Sequence, residues 1–239
     1  MCNASNAGLP SLWRGLALTA DGLACQRGAR VLFRDLTFAV RCSEALVVTG
    51  PNGAGKSSLL RIVAGLLAPQ AGAIRIDGLP AEARPAESIH YLGHDDAVKP
   101  ALTVRENLGF WRTLLGASGL AVDDALEEVG LPGLGRLPAG VLSAGQKRRL
   151  AIARLLVTRR PVWVLDEPTT ALDVTAQARF AALGRAHLAD GGLILAATHT
   201  PLDFGTGARA LTLGGPVAAR APGKADDDGA FDDASGGAP

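Results

Sequence analysis

Aromatic side chains are scarce in this chain of 239 residues: Phe, Trp and a single Tyr together make up 4% of it. A core must therefore be packed from Ala, Val, Leu and Ile, and the 48% hydrophobic fraction provides for that. Charge of one sign is lacking too. A net charge of +1 gives no electrostatic basis for a nucleic-acid partner, and no cationic amphipathic stretch reads as a membrane anchor. No run approaches the ~20 apolar residues of a membrane span; Arg61 and Thr198-His199 interrupt the most apolar segments. Residues 1–10 lack the charged start and apolar block of a secretory signal. Cysteine is rare and odd in number, with Cys2, Cys25 and Cys42 showing no C-x-x-C spacing. Free thiols in a reducing compartment are expected. Together these absences predict a cytosolic chain of one domain, or one domain with a subdomain, that reaches a membrane only through a partner.

What is present begins with Gly50-Pro51-Asn52-Gly53-Ala54-Gly55-Lys56-Ser57. The run fits G-x-x-x-x-G-K-[ST], a loop that cradles phosphate groups. Its context is right: Ala45-Leu-Val-Val-Thr49 has strand character, and from Ser58 the spacing is helical. Glycines let backbone N–H groups close around an anion, and the helix start adds unpaired donors and the positive end of a dipole. Ser58 stands in that first turn. Lys56 is predicted to reach the β- and γ-phosphates, and Ser57 to place its hydroxyl on Mg²⁺.

Around this loop the chain alternates strands and helices. Leu16-Ala-Leu-Thr19, Arg30-Val-Leu-Phe33 and Leu36-Thr-Phe-Ala-Val40 predict antiparallel strands ahead of the loop, and Ala73-Ile-Arg-Ile-Asp77 predicts another after it. Helical patterns occupy 103–115 and 122–129, and a long helix is predicted from Ser143 through Leu155. Val162-Trp-Val-Leu165 and Leu193-Ile-Leu-Ala-Ala197 are fully apolar, as in strands of a parallel sheet covered on both faces. Residues 1–15 read as a loose leader. Residues 216–239, rich in Gly, Ala and Asp, read as a disordered tail.

The apolar strand at 162–165 delivers Asp166 and Glu167 at its C-terminal end, where ligands sit in open α/β sheets. Asp166 is placed to hold Mg²⁺, and Glu167 to orient or activate an attacking water. Upstream, Leu142-Ser143-Ala144-Gly145-Gln146 contains a capping box, with Ser143 as N-cap and Gln146 three positions on. The box explains a helix start. It does not explain the string that follows, Lys147-Arg-Arg-Leu-Ala-Ile-Ala-Arg154, or the strand ending in Asp166-Glu167.

Taken together these motifs resemble the ATP-binding-cassette ATPases. Leu142, Ser143, Ala144, Gly145 and Gln146 resemble the family's signature, with Ala144 where glycine is commonest. Thr170-Ala-Leu-Asp173 resembles its D-loop and His199 its switch histidine, and the likeness covers roughly residues 16–215. The resemblance implies an α/β fold of the P-loop NTPase class. Its parts are a RecA-like parallel core, an antiparallel β subdomain and a helical signature subdomain at about 97–155. It also implies a homodimer that sandwiches two ATP molecules with Mg²⁺. Each nucleotide would then touch the phosphate loop of one subunit and residues 142–146 of the other, while Glu167 and His199 serve hydrolysis. His90 and His187 fall in no motif and are read as ordinary.

Two positions depart from the family pattern. Where cassettes carry a glutamine that contacts Mg²⁺ and senses the transport partner, this chain has His94, followed by Asp95-Asp96, so His94 is the candidate sensor. Arg27 stands where the family often stacks an aromatic on adenine. A guanidinium also stacks on a base, and looser discrimination between ATP and GTP is expected. Tyr91-Leu-Gly-His94, Leu102-Thr-Val-Arg-Glu-Asn-Leu-Gly-Phe110-Trp111 and Leu142-Ser-Ala-Gly-Gln-Lys-Arg-Arg149 together resemble the ATP-binding subunits of the cytochrome c maturation system, traditionally called haem exporter ATPases. That resemblance implies integral membrane partners, near whose docking helix Phe110 and Trp111 would lie, although for most of their area both are read as core residues of the helical subdomain, and a peripheral place on the cytoplasmic face of the bacterial inner membrane. Another exporter ATPase, or a soluble cassette without a transport role, is the alternative.

Overall fold

A computed structural model describes residues 13, 15–79, 82–205 and 208–214. The expected tail at 216–239 and most of the leader lie outside these residues. Among the described residues, eight strands and five α-helices follow one another. They are β1 (Ala17–Arg27), β2 (Arg30–Arg41), β3 (Ala45–Thr49), α1 (Lys56–Val63), β4 (Ala71–Asp77), β5 (Ile89–Leu92), α2 (Val104–Leu115), α3 (Val122–Glu128), α4 (Ala144–Val157), β6 (Val162–Asp166), α5 (Val174–Ala189), β7 (Leu193–Ala197) and β8 (Ala208–Thr212).

The strands form two sheets. A parallel sheet of five has the order β5-β6-β7-β3-β8, and an antiparallel sheet of three has the order β2-β1-β4. Both faces of the parallel sheet are covered, which is why its central strands are apolar throughout. In β6 the side chains alternate between two cores. Trp163 and Leu165 join the core shared with α2, α3, α4 and α5, while Val162 and Val164 join the one shared with α1 and the antiparallel sheet.

Several boundaries differ from the sequence reading, each for a local reason. The two predicted strands at 30–33 and 36–40 are one strand, β2, which passes through an irregular pairing with β1; Asp35 there takes φ 52°. A residue in the left-handed region relieves a bulge and lets the strand continue. Helix α1 starts at Lys56 rather than Ser58, because Gly55, at φ 101°, is its N-cap. Helix α4 runs on to Val157. Cys25 is a free, buried thiol, but Cys42 is disulfide-bonded, which corrects the expectation of three free thiols.

Candidate nucleotide-binding site

Three segments of the site leave the C-terminal ends of three adjacent strands. Asp166 ends β6 and Glu167 follows it, His199 follows β7, and the loop 50–57 follows β3. Strand order alone therefore brings together residues more than a hundred positions apart. They line one cavity of about 530 Å³, with Asn52, Gly53, Gly55, Lys56, Ser57, Ser58, Asp166, Glu167, Thr170 and His199 in its wall together with Arg27 and Leu32.

The phosphate loop is held from two sides. Gly50 has φ 136°, and a Cβ there would collide with the carbonyl of Leu213, just beyond β8. The Lys56 Nζ donates to the carbonyls of Gly50, at 2.8 Å, and Pro51, at 3.2 Å, which keeps the ammonium within the loop. Ala54 is buried beneath it and donates its backbone N–H to the Pro51 carbonyl.

Glu167 adopts φ 47°, a region that costs a non-glycine residue about 1 kcal/mol or more and persists only where the surroundings impose it. Its backbone N–H donates to the carbonyl of Ala197 at 2.8 Å. Its carboxylate stands 3.6 Å from Nε2 of His199, whose backbone N–H reaches it at 3.4 Å. Asp166 is buried; His199 is 58% exposed at its side chain and Glu167 26%. A carboxylate beside an exposed imidazole, both in the wall of the cavity that holds the phosphate loop, suits water attack on a bound phosphoryl group.

The signature segment lies elsewhere. None of residues 142–146 lines the cavity. Leu142 is buried, Ser143 and Ala144 are exposed, and the capping box is complete: the Ser143 hydroxyl accepts from Gln146 N–H and the Gln146 side chain accepts from Ser143 N–H. Gly145 packs on the D-loop so closely that a Cβ would come 2.7 Å from the carbonyl of Ala171. Asp173 caps α5, its Oδ1 accepting from Ala176 N–H at 2.7 Å. His94 is exposed and is not among the residues of the cavity wall, whereas Arg27 is.

Sequence reasoning passed over Leu32, which shares the cavity wall with Arg27, and gave no role to Arg148. Arg148 is buried and hydrogen-bonded to the turn that carries Glu167. Its register with Ile152 and Leu155, four and seven positions on along a buried helix face, was the available signal.

The protein-family model described as ABC transporter matches residues 33–170, and the chain belongs to that family. Among characterised proteins it is similar to the cytochrome c biogenesis ATP-binding export protein CcmA of Nitrobacter winogradskyi, at 58% identity over 200 residues, covering 84% of this chain and 99% of that protein. The protein of the same name from Rhizobium meliloti is 52% identical over 207 residues, covering 84% and 100%. Among solved structures, a bacterial Atm1-family ABC exporter with ATP bound aligns with a TM-score of 0.69 and 27% identity, over 82% of this chain and 36% of that one. A dimeric ATP-binding cassette in a post-hydrolysis state, bound to ADP and phosphate, aligns with a TM-score of 0.70 over 82% and 94%, and its 23% identity speaks for the fold alone.

Proposed function

We propose that this chain is the ATP-hydrolysing subunit of an ABC transporter complex in c-type cytochrome biogenesis, acting as a homodimer of cassettes beneath integral membrane subunits. The observation that carries the ATPase reading is the convergence of Lys56, Ser57, Asp166, Glu167 and His199 on one cavity. The relatives' names supply the biological setting. Among the described residues no helix is long and apolar enough to cross a membrane, so the membrane work falls to partners on whose cytoplasmic face the cassette sits.

Loop N–H groups and Lys56 bind the β- and γ-phosphates. Ser57 and Asp166, a hydroxyl and a carboxylate on the same cavity, are the donors that would hold Mg²⁺, a cation that needs few protein ligands beside phosphate oxygens and water. Bound there, the ion would neutralise charge on the phosphate oxygens. Glu167 orients the attacking water and takes its proton as the bond from the γ-phosphorus to the bridging oxygen breaks, releasing ADP and phosphate. His199 holds the γ-phosphoryl oxygens in line. The exposed start of α4 supplies N–H donors to the γ-phosphate held by the partner protomer, so the nucleotide joins the two chains.

Whether the complex moves haem or releases a haem chaperone belongs to the same proposal, since a cassette's cargo is selected by its membrane subunits. The decisive variant is Glu167→Gln. It is expected to retain ATP, lose phosphate release and run as a dimer on size exclusion with ATP and Mg²⁺, and, when expressed with its neighbours, to co-purify with cytochrome c assembly membrane proteins. A variant that hydrolyses normally removes the catalytic assignment, and co-purification with unrelated membrane proteins removes the cytochrome setting.

A further inference from the structure

Arg148 lies on the buried side of α4, with a side chain only 3% exposed. Its guanidinium has five N–H donors, and its hydrogen bonds go to the C-terminal end of β6 and the turns that follow β5 and β6. Nε donates to the carbonyl of Pro168 at 3.0 Å. One terminal nitrogen donates to the carbonyl of Gly93 at 2.8 Å and to Oδ1 of Asp96 at 2.9 Å. The other donates to the carbonyls of Asp166 at 2.9 Å and Glu167 at 2.7 Å. One planar group therefore fastens the turn 93–96 after β5 to the turn 166–168 after β6, from a helix whose first residues are the signature segment.

The contact on Glu167 matters most. That residue has its left-handed backbone fixed at both ends, its N–H by Ala197 and its carbonyl by Arg148 at 2.7 Å and, more loosely, by the Thr170 N–H at 3.2 Å. Without Arg148 the carbonyl keeps only the longer bond from Thr170, and the peptide gains freedom to turn and swing the carboxylate. On the far side of the guanidinium, Asp96 is the one charged acceptor, and it lies next to the exposed His94 and Asp95. A load on that exposed turn thus has a direct route to the carboxylate through a single side chain.

We propose that Arg148 is a positioning residue that makes the setting of Glu167 depend on the position of the 93–96 turn. The inference rests on reading Glu167 as the group that activates water. Lysine at 148 keeps the charge but cannot span these acceptors, because its donors radiate from one point. Asp96→Asn keeps all four carbonyl contacts of Arg148 and weakens only the charged one.

The test is kinetic and structural at once. Arg148→Lys is expected to lower kcat at least tenfold while the ATP dissociation constant changes less than threefold. Asp96→Asn is expected to lower kcat three- to tenfold on the same terms, and the double variant to be no worse than Arg148→Lys alone. Hydrogen exchange at the Glu167 amide should rise in Asp96→Asn at unchanged Tm. A purely structural role would lower Tm and leave the kcat of the folded fraction intact, and that result overturns the proposal. So does multiplicative loss in the double variant, or unchanged exchange at Glu167. Should Arg148→Lys fail to fold, Asp96→Asn alone decides. If the wild-type protein shows no phosphate release that Lys56→Ala abolishes, the ATPase reading falls, whereas faster exchange at Glu167 in Asp96→Asn still upholds the coupling.

Discussion

The two ends of the parallel sheet treat the same kinds of residue in opposite ways. At the C-terminal end Asp166, Glu167 and His199 line a cavity beside the phosphate loop, and His199 is largely exposed. Beneath the opposite end His187 stacks on Trp163, with ring centroids 4.1 Å apart and planes 10° from parallel, while Trp13 leans on it at 5.5 Å. His90, close by in the chain's tertiary structure, has Nε2 2.8 Å from the carbonyl of Thr158, which fixes a neutral tautomer with the proton on Nε2. Burial holds His90 down to about 3 and His187 to about 4. A histidine in a dry, aromatic or backbone-lined site has been made a packing residue, whereas His199 stays exposed beside a carboxylate in the cavity wall.

That contrast breaks most readily at the phosphate loop. Lys56→Ala removes the ammonium from the cavity, and phosphate release is expected to fall by about two orders of magnitude or more, with ATP affinity falling in parallel. A variant that still turns over at half the wild-type rate would show that the C-terminal edge is not the seat of the reaction. Next in size is Ser143→Arg, which fills the exposed start of α4. It should stop hydrolysis too, yet leave equilibrium binding of ATP to the isolated chain within about threefold, apart from about 1 kcal/mol of helix stability lost with the cap. If affinity drops as it does in Lys56→Ala, the signature segment serves the cavity of its own chain, and the two-chain site is wrong.

The opposite end is sharpened by pH. Both buried histidines have lowered values in the folded chain, so below the ordinary 6.5 the unfolded chain binds protons that the folded chain refuses. Their contribution to stability is complete above about pH 6.5 and is lost as pH falls toward 4, at about 1 kcal/mol per pH unit for each histidine. Urea unfolding at pH 7.0 and 5.5 should show the decline, and His187→Phe, which preserves the stack on Trp163, should remove about half of it. An unchanged slope would mean that His187 titrates normally. The smallest effect concerns Arg27 in the cavity wall: ATP and GTP should be hydrolysed within a few-fold of each other, and Arg27→Tyr should favour ATP by a further few-fold. A strict preference for ATP in the unaltered chain counts against base stacking on Arg27.

Where sequence was informative, a chemical or periodic constraint was local. The phosphate loop needs its glycines and lysine in series, and the apolar runs at 162–165 and 193–197 cannot be anything but buried. The capping box at Ser143 announces a helix start within four residues. Elements without a local signature went unread. Helix α5 is alanine-rich and weakly amphipathic, and β8 is an edge strand of exposed residues whose only strong pairing is with β3. Arg148 was hidden for another reason: its acceptors sit 18 to 55 positions away and are almost all backbone carbonyls, to which no residue type corresponds.

If two chains join through nucleotide as proposed, the way α4 begins bears on how long they stay joined. Its capping box occupies some of the amides at the helix entrance and leaves those of Ala144 and Gly145 without a partner inside the helix. An entrance with every amide satisfied would be indifferent to phosphate, and one with all of them vacant would grip any anion and release it slowly. On the proposed two-chain reading, leaving a pair would give a hold that depends on the terminal phosphate being present, so the union would lapse of itself once that group is gone.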